Sequence, residues 1–389
     1  TIGVADRVYQ IGFCAFWWLG VGAIGLLLQG CFLSKKIREL NANTLPDIAC
    51  KTIGKKAAIL VATIIVISWI GIIAAQFVSV SKIIQILFDG HYDKIVILIA
   101  GIVILYTVVG GQLSVVKTDV IQSIFILLGI IASFVYLYAV IGGERQIVFQ
   151  HIQFLSSDFS IFQWIILLFI TGGSYFMGPD IISRNLMSKD KNIARKAVLI
   201  ASLGLFLFSL IITFISMWAY YSIDVTKEMN PLIYLMKEVL PLPISILLFI
   251  ALVFTLISSA DTCLINAATI IEHDLIGRKN INRIRLFILL IGITALWIAL
   301  ERTDIIGLLL NAYSIYAPGI VFPLTVAIFF HKIREINQTL WFVSVIVGSL
   351  MGILYSCFEI GCEWLPLAGM GCSFGISLLS VGRSKNLYC

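Results

Sequence analysis

Charged residues are scarce in this sequence. Of its 389 residues, 12% are charged and 60% are hydrophobic, and the mean hydropathy is +1.04. A soluble globular domain carries about 25% charged residues, because its surface must interact with water. The shortage therefore excludes a soluble globular protein and favours a chain of membrane-spanning helices.

Motifs that support common enzymatic chemistries are missing as well. The sequence contains no HExxH, GxSxG or GxxxxGK[ST] segment, and its four histidines fall in loops or at the ends of apolar runs. Those motifs supply a zinc site, a serine nucleophile and a phosphate-binding loop, respectively. We therefore predict that the protein is not an enzyme, needs no organic cofactor and uses no ATP.

Neither the cysteines nor the net charge indicate another class of partner. The eight cysteines show no CxxC or CxxH spacing, and we interpret most of them as small apolar residues inside helices. Cys357 and Cys362 flank a short loop, and whether they pair is left open. The formal charge of +6 comes from short loops between apolar runs, so we predict no nucleic-acid partner.

Apolar runs long enough to cross a membrane recur along the whole chain. They predict an all-α polytopic membrane protein with about eleven full transmembrane helices and a partial helix at residues 1–11 before them. The opening residues TIGVADRVYQIG are interpreted as the middle of a longer sequence, so we expect a segment before Thr1. The predicted spans are 13–33, 57–88, 93–110, 119–142, 163–183, 196–222, 243–272, 284–300, 304–330, 338–357 and 363–381.

The distribution of basic residues predicts the orientation of these spans. If the loop at 34–56 is cytoplasmic and the spans alternate, the inner loops hold 20 Lys and Arg residues and the outer loops hold 5. Cytoplasmic loops of membrane proteins carry such an excess of basic residues. We therefore expect a multi-pass protein of the inner (plasma) membrane with loop 34–56 inside the cell.

One predicted membrane helix carries a stripe of polar side chains. Thr255, Ser259, Thr262, Asn266 and Thr269 are spaced 4, 3, 4 and 3 residues apart, which places them on one helical face. Lipid would penalise such a face, so it must contact other helices or water. A Ser or Thr hydroxyl in a membrane helix can also simply bond to the carbonyl one turn earlier.

Two residues beside this stripe add candidate functions. Ser258 and Ser259 place two hydroxyls side by side, and hydroxyls with a backbone carbonyl form a hard, neutral oxygen site that suits Na⁺. Asp261 lies off the stripe. It either ionises in a cavity or pairs with a basic group, and a carboxylate within a membrane helix indicates a functional site by default.

The segment FITGGSYFMGPDIISRN at 169–185 predicts a broken helix. Its Gly172–Gly173 and Gly178–Pro179 pairs interrupt helical hydrogen bonding in the middle of a span. Broken membrane helices occur where they line a cavity and are typical of transporter binding sites. A proline kink that only shapes helix packing is the alternative.

Three further polar positions stand out. Tyr313 lies in LLLNAYSIYAPGIVFPL, where a Pro-Gly pair predicts a break beside tyrosines that suit a gate or substrate wall. Gln76 is a lone polar residue within a span and contacts either substrate or a neighbouring helix. Asp119 follows a Gly-Gly turn and Thr118, where capping of a helix start would by itself explain both residues.

Four segments together resemble the sodium:solute symporter family. GGQLSVVKTDVIQSIFILLG is similar to its GG-x-x-AV-x-x-TD-x-x-Q signature, and ISSADTCLINAATIIEHDL to its S-[ST]-x-D-[ST]-x-L…D-[IL] signature. GSYFMGPDIISRNLMSKDKNIARKA resembles the segment G-Y-F-G-Q-P-H-I-x-x-R, and NANTLPDIACKTIG the TLP-[DE] loop. The resemblance covers nearly the whole chain, although MGP stands where GQP is common.

The resemblance implies a LeuT-type fold, in which two inverted five-helix repeats surround a site at the middle of the membrane. Residues 1–142 would form the first repeat, with its start missing, and 163–331 the second. Residues 143–162 would connect them outside the cell, and 332–389 would form two accessory helices and a tail.

The resemblance also implies roles for individual residues. Ser258 and Ser259 would hold Na⁺ with their hydroxyls, and Thr255 with its carbonyl. The remaining sodium carbonyls of the family come from a helix half that precedes this sequence. The resemblance also places Tyr175 and Phe176 beside the substrate and Asp119 on the inner sodium exit route. From their sequence context we add Gln76, Gly173 and Tyr313 to the predicted substrate site, and Asp261 and Thr262 to the predicted ion path or gate.

These inferences predict a Na⁺-coupled secondary transporter that carries a small polar organic solute, namely an amino acid, pantothenate, a sugar or sialic acid. The expected partners are that solute, Na⁺ and the lipid bilayer, and the expected active form is a monomer. Three alternatives stay open: a proton-coupled transporter of the same fold, a solute-binding sensor and an inactive remnant.

Overall fold

The computed structural model describes residues 2–88, 90–140, 152–222, 230–358 and 364–384, and it is almost entirely helical. In this described part of the chain, 10 helical segments are long and apolar enough to cross a membrane, and Leu365–Leu379 is a shorter apolar helix. The prediction of an all-α polytopic membrane protein is therefore confirmed. Cys362, one of the two cysteines that flank a short loop, lies outside the described residues.

The first membrane-crossing segment differs from its prediction. The expected partial helix and the expected span at 13–33 form one continuous run, Ile2–Glu39. The left-handed backbone of Gly12, with φ +57, lets the run bend without interruption, because glycine adopts this conformation freely. The run consists of α1 (Ile2–Ile11), a 3₁₀ turn (Gly12–Phe16), α2 (Trp17–Leu28), a π turn (Gln29–Leu33) and α3 (Ser34–Glu39).

The remaining helices of the first half follow the predicted order. Thr44 accepts a hydrogen bond from the backbone N–H of Asp47 and so begins the short surface helix α4. Gly111, with φ +62, separates α6 from α7, as expected for the Gly-Gly turn. These elements are α4 (Leu45–Thr52), α5 (Lys55–Phe88), α6 (Tyr92–Gly111) and α7 (Val115–Val140).

The second half also consists mainly of long helices with short connections. Ser160 and Gln163 form a reciprocal capping box where α8 begins. The elements are α8 (Ile161–Leu167), a π turn (Leu168–Gly172), α9 (Gly173–Phe176), α10 (Pro179–Leu186), α11 (Lys191–Ser222), α12 (Pro231–Tyr234), a π turn (Leu235–Val239), α13 (Leu242–Ile270), a π turn (Ile271–Leu275), α14 (Ile281–Glu301), α15 (Ile305–Phe330), β1 (Arg334–Ile336), α16 (Gln338–Phe358), α17 (Leu365–Leu379) and β2 (Val381–Ser384).

The helices divide into an inner set and a lipid-facing set. The first run, α5 and α15 are more enclosed by protein than α6, α7 and α14. Helix α13 packs against both α5 and α6–α7, and of its polar stripe Asn266 is buried, Thr255, Thr262 and Thr269 are half-buried and Ser259 is exposed. This arrangement places the polar faces of α5, α9–α10, α13 and α15 at the centre of the bundle.

The loops predicted to be cytoplasmic meet at one end of the bundle. Arg38 donates to the carbonyl of Ser188 at 2.8 Å, and Gln338 donates to the carbonyl of Ile53 at 2.8 Å. Thr44 donates to a carboxylate oxygen of Asp274 at 2.9 Å. At the opposite end, the indole N–H of Trp17 donates to the Phe154 carbonyl and Tyr92 to the Ala299 carbonyl. The alternation used to predict the orientation is therefore present in the fold.

The expected Pro-Gly break in 308–324 is wrong, because α15 continues through Pro318. Proline removes the hydrogen bond to the carbonyl four residues earlier, which here belongs to Ser314. Gly352 of α16 lies directly against that carbonyl oxygen, so close that a Cβ at Gly352 would sit 1.9 Å from it. Close packing of a neighbouring helix backbone thus stabilises the helix across its proline.

We expect Gly352→Ala to lower the free energy of unfolding by about 1–3 kcal/mol, because the added methyl group has no room. Thermal unfolding in detergent measures this effect. Gly204→Ala is the matched control, since a Cβ at Gly204 of α11 meets no heavy atom within 4 Å. Equal melting temperatures for the two variants would contradict the packing described here.

Candidate functional site

The broken helix predicted at 169–185 is present at Gly178–Pro179. The expected interruption at Gly172–Gly173 is wrong, because Gly172 (φ −60, ψ −38) and Gly173 (φ −60, ψ −40) both keep helical backbone angles. Helix α9 ends at Phe176, Gly178 adopts an extended backbone with φ −60 and ψ 130, and α10 begins at Pro179. The carbonyl of Met177, freed by the break, accepts a hydrogen bond from the Tyr316 hydroxyl at 2.6 Å. A backbone that leaves its helix at membrane depth needs such a partner, so the break is a supported feature of the fold.

A cavity of about 240 Å³ lies beside this break, among α5, α9–α10, α13 and α15. Both charged and aromatic side chains face it, which is the composition of a site for a small polar solute. Three of the residues predicted to contact substrate line it: Gln76, Tyr175 and Tyr313. The other lining residues are Trp69, Ile72, Ser174, Asp180, Ile181, Arg184, Ser258, Ser259, Thr262 and Cys263.

The predicted sodium ligands lie at the edge of this cavity. Ser258 donates its hydroxyl hydrogen to a carboxylate oxygen of Asp119, and Ser259 donates to the carbonyl of Thr255 at 2.9 Å. Two hydroxyl oxygens and one carbonyl oxygen are thus grouped on one turn of α13. The hydroxyl of Thr255 bonds to the Ala251 carbonyl at 2.8 Å, which leaves the Thr255 carbonyl as its contribution to the group.

Asp119 connects the serines to a positive charge. Arg184 of α10 lies 2.8 Å from one carboxylate oxygen of Asp119 and donates to the hydroxyl of Thr262 at 3.2 Å. The side chain of Asp119 is 15% exposed and that of Arg184 is 55% exposed. Because Asp119 is in α7, Arg184 in α10 and Thr262 in α13, this cluster joins three helices at the inner side of the cavity.

Other predicted residues lie apart from the cavity lining. A Cβ at Gly173 would lie 3.1 Å from Met370 and 3.5 Å from Val321, so this glycine faces α15 and α17. Phe176 packs against the hydrophobic core. Asp261 is 0% exposed, and within the described part of the chain its Oδ2 has no hydrogen-bond partner.

Seven lining residues were missed by the sequence analysis, namely Trp69, Ile72, Ser174, Asp180, Ile181, Arg184 and Cys263. Trp69 lies within an apolar run, where its indole gives no polar signal. Asp180 follows Gly178–Pro179 directly, and this position in the first turn of α10 was the available signal. The carboxylate of Asp180 faces the cavity only because the helix breaks before it.

Smaller cavities continue the central one toward both ends of the bundle. Toward the predicted outer end, Gln76, Tyr175 and Tyr313 also line a cavity of about 100 Å³ that reaches Trp18, and Trp18 lines a further cavity of about 170 Å³. Toward the predicted inner end, Asp119 and Arg184 line two cavities that also include Met187. The central cavity therefore has smaller cavities on each side.

Comparison with known proteins identifies the family of this chain. The family model described as the sodium:solute symporter family matches residues 1–348. The sodium/proline symporter 2 of Staphylococcus saprophyticus is 26% identical over 96% of this chain and 78% of its own length. The human high affinity choline transporter 1 is 32% identical over a shorter stretch, which is 33% of this chain and 22% of that protein.

Solved structures share the fold. A Na⁺-coupled sialic acid symporter in a substrate-bound outward-open state has a TM-score of 0.77 at 16% identity and covers 99% of this chain and 87% of its own. Mhp1, a nucleobase-cation-symport-1 family transporter in a closed conformation, has a TM-score of 0.66 at 13% identity and covers 97% of this chain and 88% of its own. The predicted LeuT-type fold is confirmed by these likenesses.

Proposed function

Because this chain belongs to the sodium:solute symporter family, we propose that it carries a small polar organic solute across the membrane together with Na⁺. The observation that carries the proposal is the position of Ser258 and Ser259. Both serines line the central cavity at a turn of α13 whose Thr255 carbonyl lies beside them. One cavity can thus hold the ion and the solute next to each other.

The chemistry of this turn suits Na⁺. Hydroxyl and carbonyl oxygens are hard, neutral ligands, and a site built from them binds the ion weakly enough to release it. Ile2, Gly3 and Val4 share a cavity with Leu256, the residue after Thr255, so the beginning of α1 lies close to the same turn. Further carbonyl ligands from the preceding segment, as the family resemblance implies, would complete the site.

We propose that the solute occupies the central cavity beside the break between α9 and α10. Gln76, Tyr175 and Tyr313 would contact it, with Gly173 and Phe176 shaping the broken helix behind them. The proline and choline named for the curated relatives join an amino acid, pantothenate, a sugar and sialic acid as candidate solutes.

Transport would follow an alternating-access cycle. Residues 1–142 and 163–331 would act as the two inverted repeats, with 143–162 as their outer connection and 332–389 as accessory helices. Na⁺ would enter from the side opposite loop 34–56, stabilise the state that is open outward, and leave past Thr262 and Asp119. We propose the plasma membrane as its location, with loop 34–56 cytoplasmic and a monomer as the active unit.

One observation favours a second candidate, a proton-coupled transporter of the same fold. Asp261 is fully buried, and Oδ2 of its carboxylate lacks a partner among the described residues. A buried carboxylate of this kind can exchange a proton. We prefer Na⁺ coupling because Ser258 and Ser259 line the central cavity, whereas Asp261 does not line it.

Uptake of labelled solutes into proteoliposomes tests the proposal. The panel is proline, choline, pantothenate, glucose and sialic acid, each measured with and without an inward Na⁺ gradient. We expect at least one solute to accumulate only with the Na⁺ gradient, and protein-free liposomes to show none. Accumulation driven by a pH gradient without Na⁺ would instead support proton coupling, and uptake of no solute would support a sensor or a remnant.

A further inference from the structure

Two charged side chains, Asp180 and Arg184, line the central cavity, and they differ in whether an ion-pair partner lies beside them. Arg184 is already paired, because it lies 2.8 Å from Asp119 and also donates to Thr262. In the part of the chain that the structure describes, no cation lies within ion-pair distance of Asp180. Arg184 also attracts the Asp180 carboxylate at longer range, so Asp119 and Asp180 share this one cation, and the three side chains together carry one net negative charge.

The break in the helix holds the Asp180 carboxylate in position. Asp180 lies in the first turn of α10, directly after Pro179, whose fixed backbone begins the helix. A Cβ at Gly178 would lie 3.1 Å from Oδ1 of Asp180, so the carboxylate is folded back over the break. It therefore faces the cavity from the point where α9 and α10 separate.

Three aromatic residues line the same cavity: Trp69, Tyr175 and Tyr313. Trp69 makes an edge contact with Tyr316, with ring centroids 5.0 Å apart, and Tyr175 packs against Gly22, where a Cβ would lie 3.0 Å from the ring. These contacts fix both rings. Aromatic faces attract cations through their quadrupole, and the attraction is stronger where water is excluded.

We infer that the central site selects solutes with a cationic nitrogen, with the Asp180 carboxylate as counter-ion and the rings of Trp69, Tyr175 and Tyr313 around it. This inference rests on the proposed function, because it takes the central cavity as the solute site. A solute whose only charge is negative would be repelled by the Asp180 carboxylate, and a neutral sugar would leave the net negative charge of the site unbalanced. Both of those classes are disfavoured.

Binding and transport of a charge-graded panel test the inference. Choline carries a quaternary ammonium, proline is a zwitterion with a cationic nitrogen, glucose is neutral and pantothenate is an anion. Affinity for each is measured in detergent by calorimetry with Na⁺ present, and uptake is measured in proteoliposomes. We expect the intact protein to bind choline, proline or both more tightly than glucose and pantothenate.

Asp180→Asn removes the charge and keeps the shape of the side chain. We expect it to weaken binding of the cationic-nitrogen solute by roughly 10- to 100-fold, the effect of losing a hydrogen-bonding partner that is charged. Asp190→Asn is the matched control, because Asp190 is a loop carboxylate that caps Ile193 and Asn192 outside the cavity. It should leave both affinity and uptake unchanged. Thermal unfolding of all three proteins shows whether a loss of binding comes from misfolding.

The outcomes separate this inference from the proposed function. Na⁺-driven uptake of glucose or pantothenate, with no binding of choline or proline, would overturn the inference and leave Na⁺-coupled transport intact. Equal affinity of the intact protein and a folded Asp180→Asn variant for choline or proline would overturn it too. If Asp180→Asn is unfolded, Asp180→Glu decides, since it should retain the preference for a cationic nitrogen.

Discussion

We expect the Ser258→Ala/Ser259→Ala variant to lose Na⁺-dependent uptake while it keeps its fold. The substitution removes both hydroxyl oxygens that line the cavity and leaves only the Thr255 carbonyl on that turn of α13. Each hydrogen-bonding contact to a charged group contributes about 1.5–3 kcal/mol, so the apparent Na⁺ affinity should fall by about 100-fold or more. The measurement is the Na⁺ dependence of uptake in proteoliposomes.

A matched control separates this result from a general effect of losing hydroxyls. Thr63→Ala/Thr294→Ala removes two exposed hydroxyls that bond only to the carbonyls one turn earlier, Ile59 and Leu290. That variant should retain the Na⁺ dependence of the unmodified protein. If the serine variant retained it as well, Na⁺ would not be held at this turn.

The second large effect is expected at the pair of Asp119 and Arg184. Removing one partner of a charge pair leaves the other uncompensated, which costs more than the pair contributes. In Arg184→Gln, the free carboxylate of Asp119 would hold Na⁺ on its way inward, so we expect the maximal uptake rate to fall by about tenfold. Adding Asp119→Asn should restore part of that rate, because it removes the charge that retains the ion.

A double-mutant cycle measures this coupling from the rates of the two single variants and the double variant. The control pair is Lys191 and Glu39, which lie 3.0 Å apart at the same end of the bundle with exposed side chains of 53% and 45%. Such exposed pairs contribute little, so Lys191→Gln/Glu39→Gln should leave the rate unchanged. Purely additive effects at Asp119 and Arg184 would show that the pair does not control the ion path.

The breaks in the helices show how far local sequence rules reach. The break at Gly178–Pro179 was predicted correctly, since glycine and proline both interrupt helical hydrogen bonds and an extended backbone follows. The same rule was wrong at Pro318, where α15 continues. The difference lies in the partner helix, because Gly352 packs against the freed carbonyl of Ser314 there. A single sequence contains no signal for that contact.

The roles of the hydroxyl stripe were predictable only in part. Helical spacing placed Ser259, Thr262 and Asn266 on a face that does line cavities. Spacing could not show that Ser258 donates to Asp119 or that Arg184 compensates the same carboxylate. Those partners are 139 and 65 residues away from Asp119 along the chain, so only the packing of α7, α10 and α13 brings them together.

The sequence by itself determined that this protein crosses a membrane many times. The length of each apolar run and its scarcity of charge are local properties, and they decide whether a helix is stable in lipid. Its motifs also determined the family. The tertiary structure alone decided which polar groups meet. It paired Asp119 with Arg184, placed Asp180 in the central cavity and brought the Tyr316 hydroxyl to the Met177 carbonyl, to which it donates a hydrogen bond. Helix burial follows from composition, whereas the partner of each buried charge depends on how distant helices cross.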